Sequence, residues 1–126
     1  MAPAEFDRLV AEAYKRIPAR FRKRLQNVAL TVEMEPSPGQ LSRGRVAPGH
    51  TLLGLYEGRP LTQRSVFEPW SMPDRITIFQ GPHERLARSP EHLVELVSAT
   101  VWHEVAHYFG MDEAQVRAAE RRRRAQ

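Results

Sequence analysis

The stretch from Ser89 to Gly110 constrains this chain more than any other. Ser89-Pro90-Glu91 reads as a helix start, with a serine N-cap, a proline at the first helical position and an acid in the first turn. Residues 91–109 contain neither Gly nor Pro, and Gly110 is a good terminator. The spacing therefore predicts one helix running to Phe109, on the order of 30 Å long. With Leu93 placed at zero and about 100° per residue, Leu93, Val97, Val101 and Tyr108 fall within an arc of about 80°. Glu104 falls at about 20°, inside that apolar stripe, and His103 and His107 sit on its edge at about 280° and 320°. A carboxylate aimed at a core is costly unless it meets an opposite charge.

The remaining residues must pack around that helix. A chain of 126 residues supports a single core, so residues 1–126 are expected to form one domain. Apolar residues at helical spacing (Phe6, Leu9, Val10, Ala13, Tyr14) predict a helix over 5–16. Val28, Leu30, Val32 and Met34 alternate with Ala29, Thr31 and Glu33, which predicts a half-buried strand. Residues 36–49 hold three prolines and three glycines without periodicity and read as a loop bordering the functional cleft. A second strand is expected in 51–56 and a third, β-branched one in 75–80, closed by Gly81-Pro82. The third is short and flanked by Pro73 and Gly81, so it is expected at the sheet edge. His83 and His92 fall at helix starts and read as surface residues, Trp70 as a core plug, and residues from Asp112 to about Arg123 as a last helix.

Composition removes several function classes. There is no cysteine, so disulfide scaffolds, thiolate metal sites and cysteine nucleophiles are excluded. No apolar run approaches the ~20 residues of a membrane span. The first residues lack a basic stretch followed by an apolar one, so the expectation is a cytoplasmic protein with no membrane partner. The net charge of +4 comes almost entirely from arginine. Fifteen acidic residues are interleaved with those arginines, and aromatics do not alternate with them as a stacking platform would need. Nucleic acid is therefore disfavoured as a partner.

His103-Glu104-Val105-Ala106-His107 is the pattern H-E-x-x-H. Histidines four apart on a helix share a face, so both imidazoles can reach one ion. Zn²⁺ is the natural candidate, because any metal here must be held by His, Asp or Glu. It would also supply the charge that Glu104 needs. A catalytic zinc wants three protein ligands and an open position. Gly110 can reverse the chain in the left-handed conformation and swing Glu113, six residues past His107, back toward the metal. Asp112 and Glu120 remain competitors for the third place, Asp112 also reading well as a helix N-cap.

With these residues in view, the chain resembles the small bacterial zincin-like metallopeptidases, also called minimal metalloproteases or the zincin-1 family. The similarity runs through Asn27-Val28-Ala29-Leu30, Leu52-Leu53-Gly54-Leu55-Tyr56-Glu57-Gly58, Pro73-Asp74-Arg75-Ile76-Thr77-Ile78-Phe79, and His103 to Glu113. The resemblance implies a compact α+β fold, a small mixed sheet packed on a long active-site helix. It implies zinc on that helix and an acidic third ligand, commonly Asp, where this chain has Glu113. No methionine follows Met111, so the Met-turn of the metzincins is absent.

The chemistry these residues support is hydrolysis of a peptide or protein substrate, with Glu104 as general base beside the zinc. As the expected edge strand, residues 75–80 would lie alongside the metal and pair with an extended peptide. Tyr56, Tyr108, His50 and Arg75 are candidates for stabilising the oxyanion. The alternative is a zinc-binding zincin fold with little activity, serving as an interaction module. Oligomeric state leaves no trace in the sequence.

Overall fold

A computed structural model describes residues 1–25, 27–46, 49–58 and 74–110, together with Ala114, Gln115, Ala118 and Arg121. The elements in chain order are α1 (Pro3–Lys15), α2 (Ala19–Arg22), a 3₁₀ turn (Lys23–Leu25), β1 (Val28–Glu33) and α3 (Pro38–Arg43). They are followed by β2 (Gly54–Glu57), β3 (Asp74–Phe79), α4 (Gln80–Leu86) and α5 (Pro90–Tyr108). The expected α+β architecture is present, with a three-stranded mixed sheet in the order β1-β3-β2.

The strands meet in fixed register. β1 runs parallel to β3, pairing Val28 with Asp74 through to Glu33 with Phe79. β2 runs antiparallel to β3, pairing Gly54 with Ile78 and Glu57 with Arg75. This corrects the expected position of residues 75–80, which form the centre of the sheet and not its edge. The physical reason is visible in β3 itself. Ile76, Thr77, Ile78 and Phe79 are all buried, as a strand covered on both faces requires. Thr77 tolerates that burial because its hydroxyl lies 3.1 Å from that of Thr31, its register partner on β1. Among the described residues β1 and β2 each pair only with β3, so both are edge strands, and β2 is the edge that packs on α5.

One face of the sheet carries Ile76 and Ile78 into a core shared with both long helices. Phe6, Val10 and Ala13 of α1 meet Leu93, Val97, Val101, Val105 and Tyr108 of α5 there. The apolar stripe read from the sequence is thus the buried stripe of α5. Ser89 caps this helix, its side chain accepting from the His92 backbone N–H at 3.0 Å. At the other end Gly110 has φ +78°, a value in the left-handed region where glycine carries no penalty.

Residues 36–49 are not a simple loop. Ser37 and Gln40 form a reciprocal capping box that starts α3, with Pro38 in the first turn. Short as it is, this helix supports the next segment from behind, because Gly44 at its end lies against Leu52. The expected strand at 51–56 is shorter and shifted, beginning at Gly54. Leu53 precedes it and accepts a hydrogen bond from the Phe79 N–H at 2.9 Å.

Candidate metal centre

α5 packs directly on β2, and the closeness of that contact determines where Glu104 lies. Gly54 is the contact point. A Cβ there would lie 2.7 Å from Thr100 Cγ2 and 3.1 Å from Glu104 Cγ. Only glycine lets the strand approach the helix this closely. Glu104 is held between helix and strand and is only 6% exposed. The sequence placed it inside the apolar stripe, and the structure puts it there.

His103 and His107 flank Glu104 on successive turns. Their rings are 4.5 Å apart between centroids, and both side chains are half-buried. His107 Nδ1 lies 3.8 Å from Glu104 Oε1. One potential ligand atom from each of the three residues falls within 4.8 Å of the others. Two imidazole nitrogens backed by a buried carboxylate are a donor set suited to zinc, so the residues present fit the ion. The remaining ligand candidates, Glu113, Asp112 and Glu120, lie outside the described residues, as does Trp70. Ala114, Gln115, Ala118 and Arg121 are helical, in keeping with a helix after Gly110.

A cleft of about 340 Å³ opens beside Glu104. Its walls are Thr51, Leu52, Leu53 and Gly54 on one side, and Leu96, Ala99, Thr100, His103 and Glu104 of α5 on the other. Among the described residues of 36–49 none lines it, and Gly44 lies against Leu52 of its wall. The α5 wall had a signal in the sequence: Ala99 precedes His103 by four residues, and Thr100 precedes Glu104 by four. Which chain segment faces that wall follows from sheet topology, which the sequence does not spell out.

The oxyanion candidates are held elsewhere or exposed. Tyr56 donates its hydroxyl to Asp74 at 2.6 Å, and Tyr108 donates to the Arg24 carbonyl at 3.2 Å. Arg75 and His50 are exposed, and none of the four lines the cleft. His50 is nearest along the chain, one residue before Thr51.

His83 corrects a second expectation. It is fully buried, not on the surface. α4 follows β3 without a loop, so its first turn is interior: Gln80, Gly81, Pro82 and His83 are all buried. His83 Nδ1 lies 2.7 Å from the Phe79 carbonyl, and Nε2 lies 2.8 Å from Thr100 Oγ1. Loss of solvent lowers its pKa from the ordinary histidine value, outweighing the hydrogen bonds that favour the proton. The Thr100 hydroxyl donates its own proton to the Leu96 carbonyl at 2.8 Å, so both neighbours of the His83 ring are oxygen atoms held in place by the backbone. His92 is partly exposed and accepts from the Arg88 N–H, close to the surface role expected of it.

Comparison with known proteins agrees with this geometry. The zincin-like metallopeptidase family profile matches residues 25–123. Among solved structures, a conserved hypothetical protein from T. thermophilus superposes with a TM-score of 0.57 at 25% identity. The match covers 86% of this chain and 94% of that one. No curated protein matches the chain. No helix among the described residues is long and apolar enough to cross a membrane. Membership of this family implies a metal, typically zinc, and a peptidase-type activity on peptides or proteins. From the match across residues 25–123, which spans both the sheet and the His-Glu-His helix, the chain belongs to the zincin-like metallopeptidase family.

Proposed function

We propose that this protein is a zinc-dependent peptidase in which His103, His107 and Glu113 hold the metal and Glu104 is the general base. The observation that carries the reading is the burial of Glu104 between α5 and Gly54, with a histidine on either side and an open cleft in front. A zinc bound here supplies Lewis acidity, easing loss of a proton from water and polarising the scissile carbonyl. Glu104 takes that proton as the water oxygen bonds to the carbonyl carbon. It then passes the proton to the departing amine as the C–N bond breaks, leaving a carboxylate and an amine. The close packing at Gly54 fixes the Glu104 carboxylate for both transfers. As the sheet edge that packs on α5, β2 would offer its outer backbone donors and acceptors to an extended peptide, the role expected from the sequence of residues 75–80.

The deciding experiment is Glu104→Gln. The amide keeps the shape of the side chain and cannot accept the proton. Zinc content and folding should be retained while peptide hydrolysis falls by at least about 10²-fold. Full zinc with undiminished cleavage in the variant would remove the base assignment. A zinc-loaded wild type that cleaves nothing in a broad peptide library would favour the interaction-module reading.

A further inference from the structure

We propose that the cleft between residues 51–54 and the α5 turn carrying Leu96, Ala99 and Thr100 is a subsite for one aliphatic side chain of the substrate. The inference rests on the peptidase reading of the adjoining centre and names the substrate class it selects. Three observations carry it. The first is continuity: His103 and Glu104 form one end of the same cleft, so a peptide whose carbonyl is at the metal has a neighbouring side chain within reach of it. The second is chemistry. Leu52, Leu53, Leu96 and Ala99 supply apolar walls, and the leucines are only partly buried, so they present surface to the cleft.

The third observation is the orientation of Thr100. Its hydroxyl is turned inward, 2.8 Å from both the Leu96 carbonyl and His83 Nε2. Its methyl faces Gly54 at the cleft wall. The buried His83 thus keeps a polar group out of the pocket floor. Among the described lining residues Glu104 is the only acid, and none is a lysine or arginine. A carboxylate side chain entering here would be desolvated beside Glu104 without a lysine or arginine of the described lining to pair with, and a cationic one would compete for Glu104 itself. At about 340 Å³ the cleft lies at the low end of ligand-pocket volumes, which start at roughly 300 Å³. It has room for one large side chain and its own backbone.

The test is direct binding, read separately from turnover. The full-length, zinc-loaded protein is titrated with the blocked tripeptides acetyl-Gly-Xaa-Gly-amide, with Xaa as Leu, Gly or Asp, and followed by amide chemical shifts. The Leu peptide should bind about tenfold tighter than the Gly peptide, as burying roughly two methylenes predicts. The Asp peptide should bind more weakly than either, and the shifts should concentrate at Leu52, Leu96 and Ala99. Ala99→Leu fills the cleft and should bring the Leu peptide down to the Gly level with zinc content unchanged. Leu96→Ala, which removes a wall, should erode the same preference and serves if the first variant does not fold. Equal binding of the Leu and Gly peptides, shifts outside the cleft, a preference indifferent to both variants, or no measurable binding of any peptide would each overturn the subsite. New product signals in the same samples report hydrolysis independently. Cleavage without a Leu preference discards the subsite and leaves the peptidase standing; Leu-selective binding without cleavage does the reverse.

Discussion

Gly54 and Glu104 are packed so closely that a single methyl group on the glycine would lie 3.1 Å from Glu104 Cγ, and closer still to Thr100. A glycine of the sheet therefore helps to set the position of the carboxylate on the helix. Gly54→Ala should destabilise the fold by about 1–3 kcal/mol, the usual cost of overpacking. Peptide hydrolysis should fall further than zinc content, because the displaced group is the proposed base and not one of the proposed ligands. Urea unfolding, metal analysis and a cleavage assay on one preparation check this. An alanine variant as stable and active as the wild type would show that β2 can move away from α5 without consequence.

His83 predicts a pH dependence of stability. Its pKa is lowered by burial, so the folded state resists a proton that the unfolded chain accepts. The contribution is fully present above the ordinary histidine pKa of about 6.5 and is lost as pH falls below it toward the lowered folded value. The zinc-free protein should lose stability between about pH 7 and pH 5, at up to roughly 1.4 kcal/mol per pH unit from this one group. His83→Gln should flatten that slope. The other histidines are common to both proteins and cancel in the difference. Identical slopes in denaturant titrations across this range would assign the acid sensitivity elsewhere.

The third zinc ligand can be separated from its neighbours by stoichiometry. Glu113→Ala should lose most bound zinc, while Asp112→Ala and Glu120→Ala keep one ion per chain. Loss confined to the Asp112 variant would move the ligand one residue earlier. In the wild type, acid should release the ion, because protons compete with zinc for the imidazoles of His103 and His107. Metal content after dialysis at a series of pH values measures this.

Ser89→Ala provides a control for helix stability alone. The Ser89 side chain satisfies the His92 N–H at the far end of α5 from the histidine pair. Its loss should cost about 1 kcal/mol, a typical value for an N-cap. Zinc stoichiometry should not change. If it does, the donors respond to the stability of the whole helix and not only to their own turn.

The helix and its three central residues were legible because helical periodicity is a strict rule. Once Ser89 and Gly110 fix the ends, the positions of His103, Glu104 and His107 around the axis follow. The sheet was less legible. Ile76-Thr77-Ile78-Phe79 is short and bounded by turn residues, features shared by edge strands and by central strands of small sheets. What decides between them is the long-range pairing with both β1 and β2. α3 carried its own signal, the Ser37-x-x-Gln40 pattern with Pro38 at the first position, which the surrounding prolines and glycines outweighed. His83 was misplaced because Gly81-Pro82 suggests a turn to solvent, whereas the chain enters α4 inside the core.

The parallel pairing of β1 and β3 holds residues 28–33 at a constant offset from residues 74–79. Between them the chain must turn back so that β3 runs in the same direction as β1, and on the way it lays down β2 against the other edge of β3. Lengthening such a connection costs little entropy, about 0.6 kcal/mol for each doubling of a flexible loop. The Thr51–Gly54 wall of the cleft is carried on this connection, whereas His103, Glu104 and His107 belong to a helix that follows the last strand. One wall of the cleft thus lies on a different stretch of chain from the His-Glu-His set, and the other wall shares its helix. Residues 51–53 can be exchanged while the helix stays as it is, whereas Gly54 is tied to Glu104 by contact.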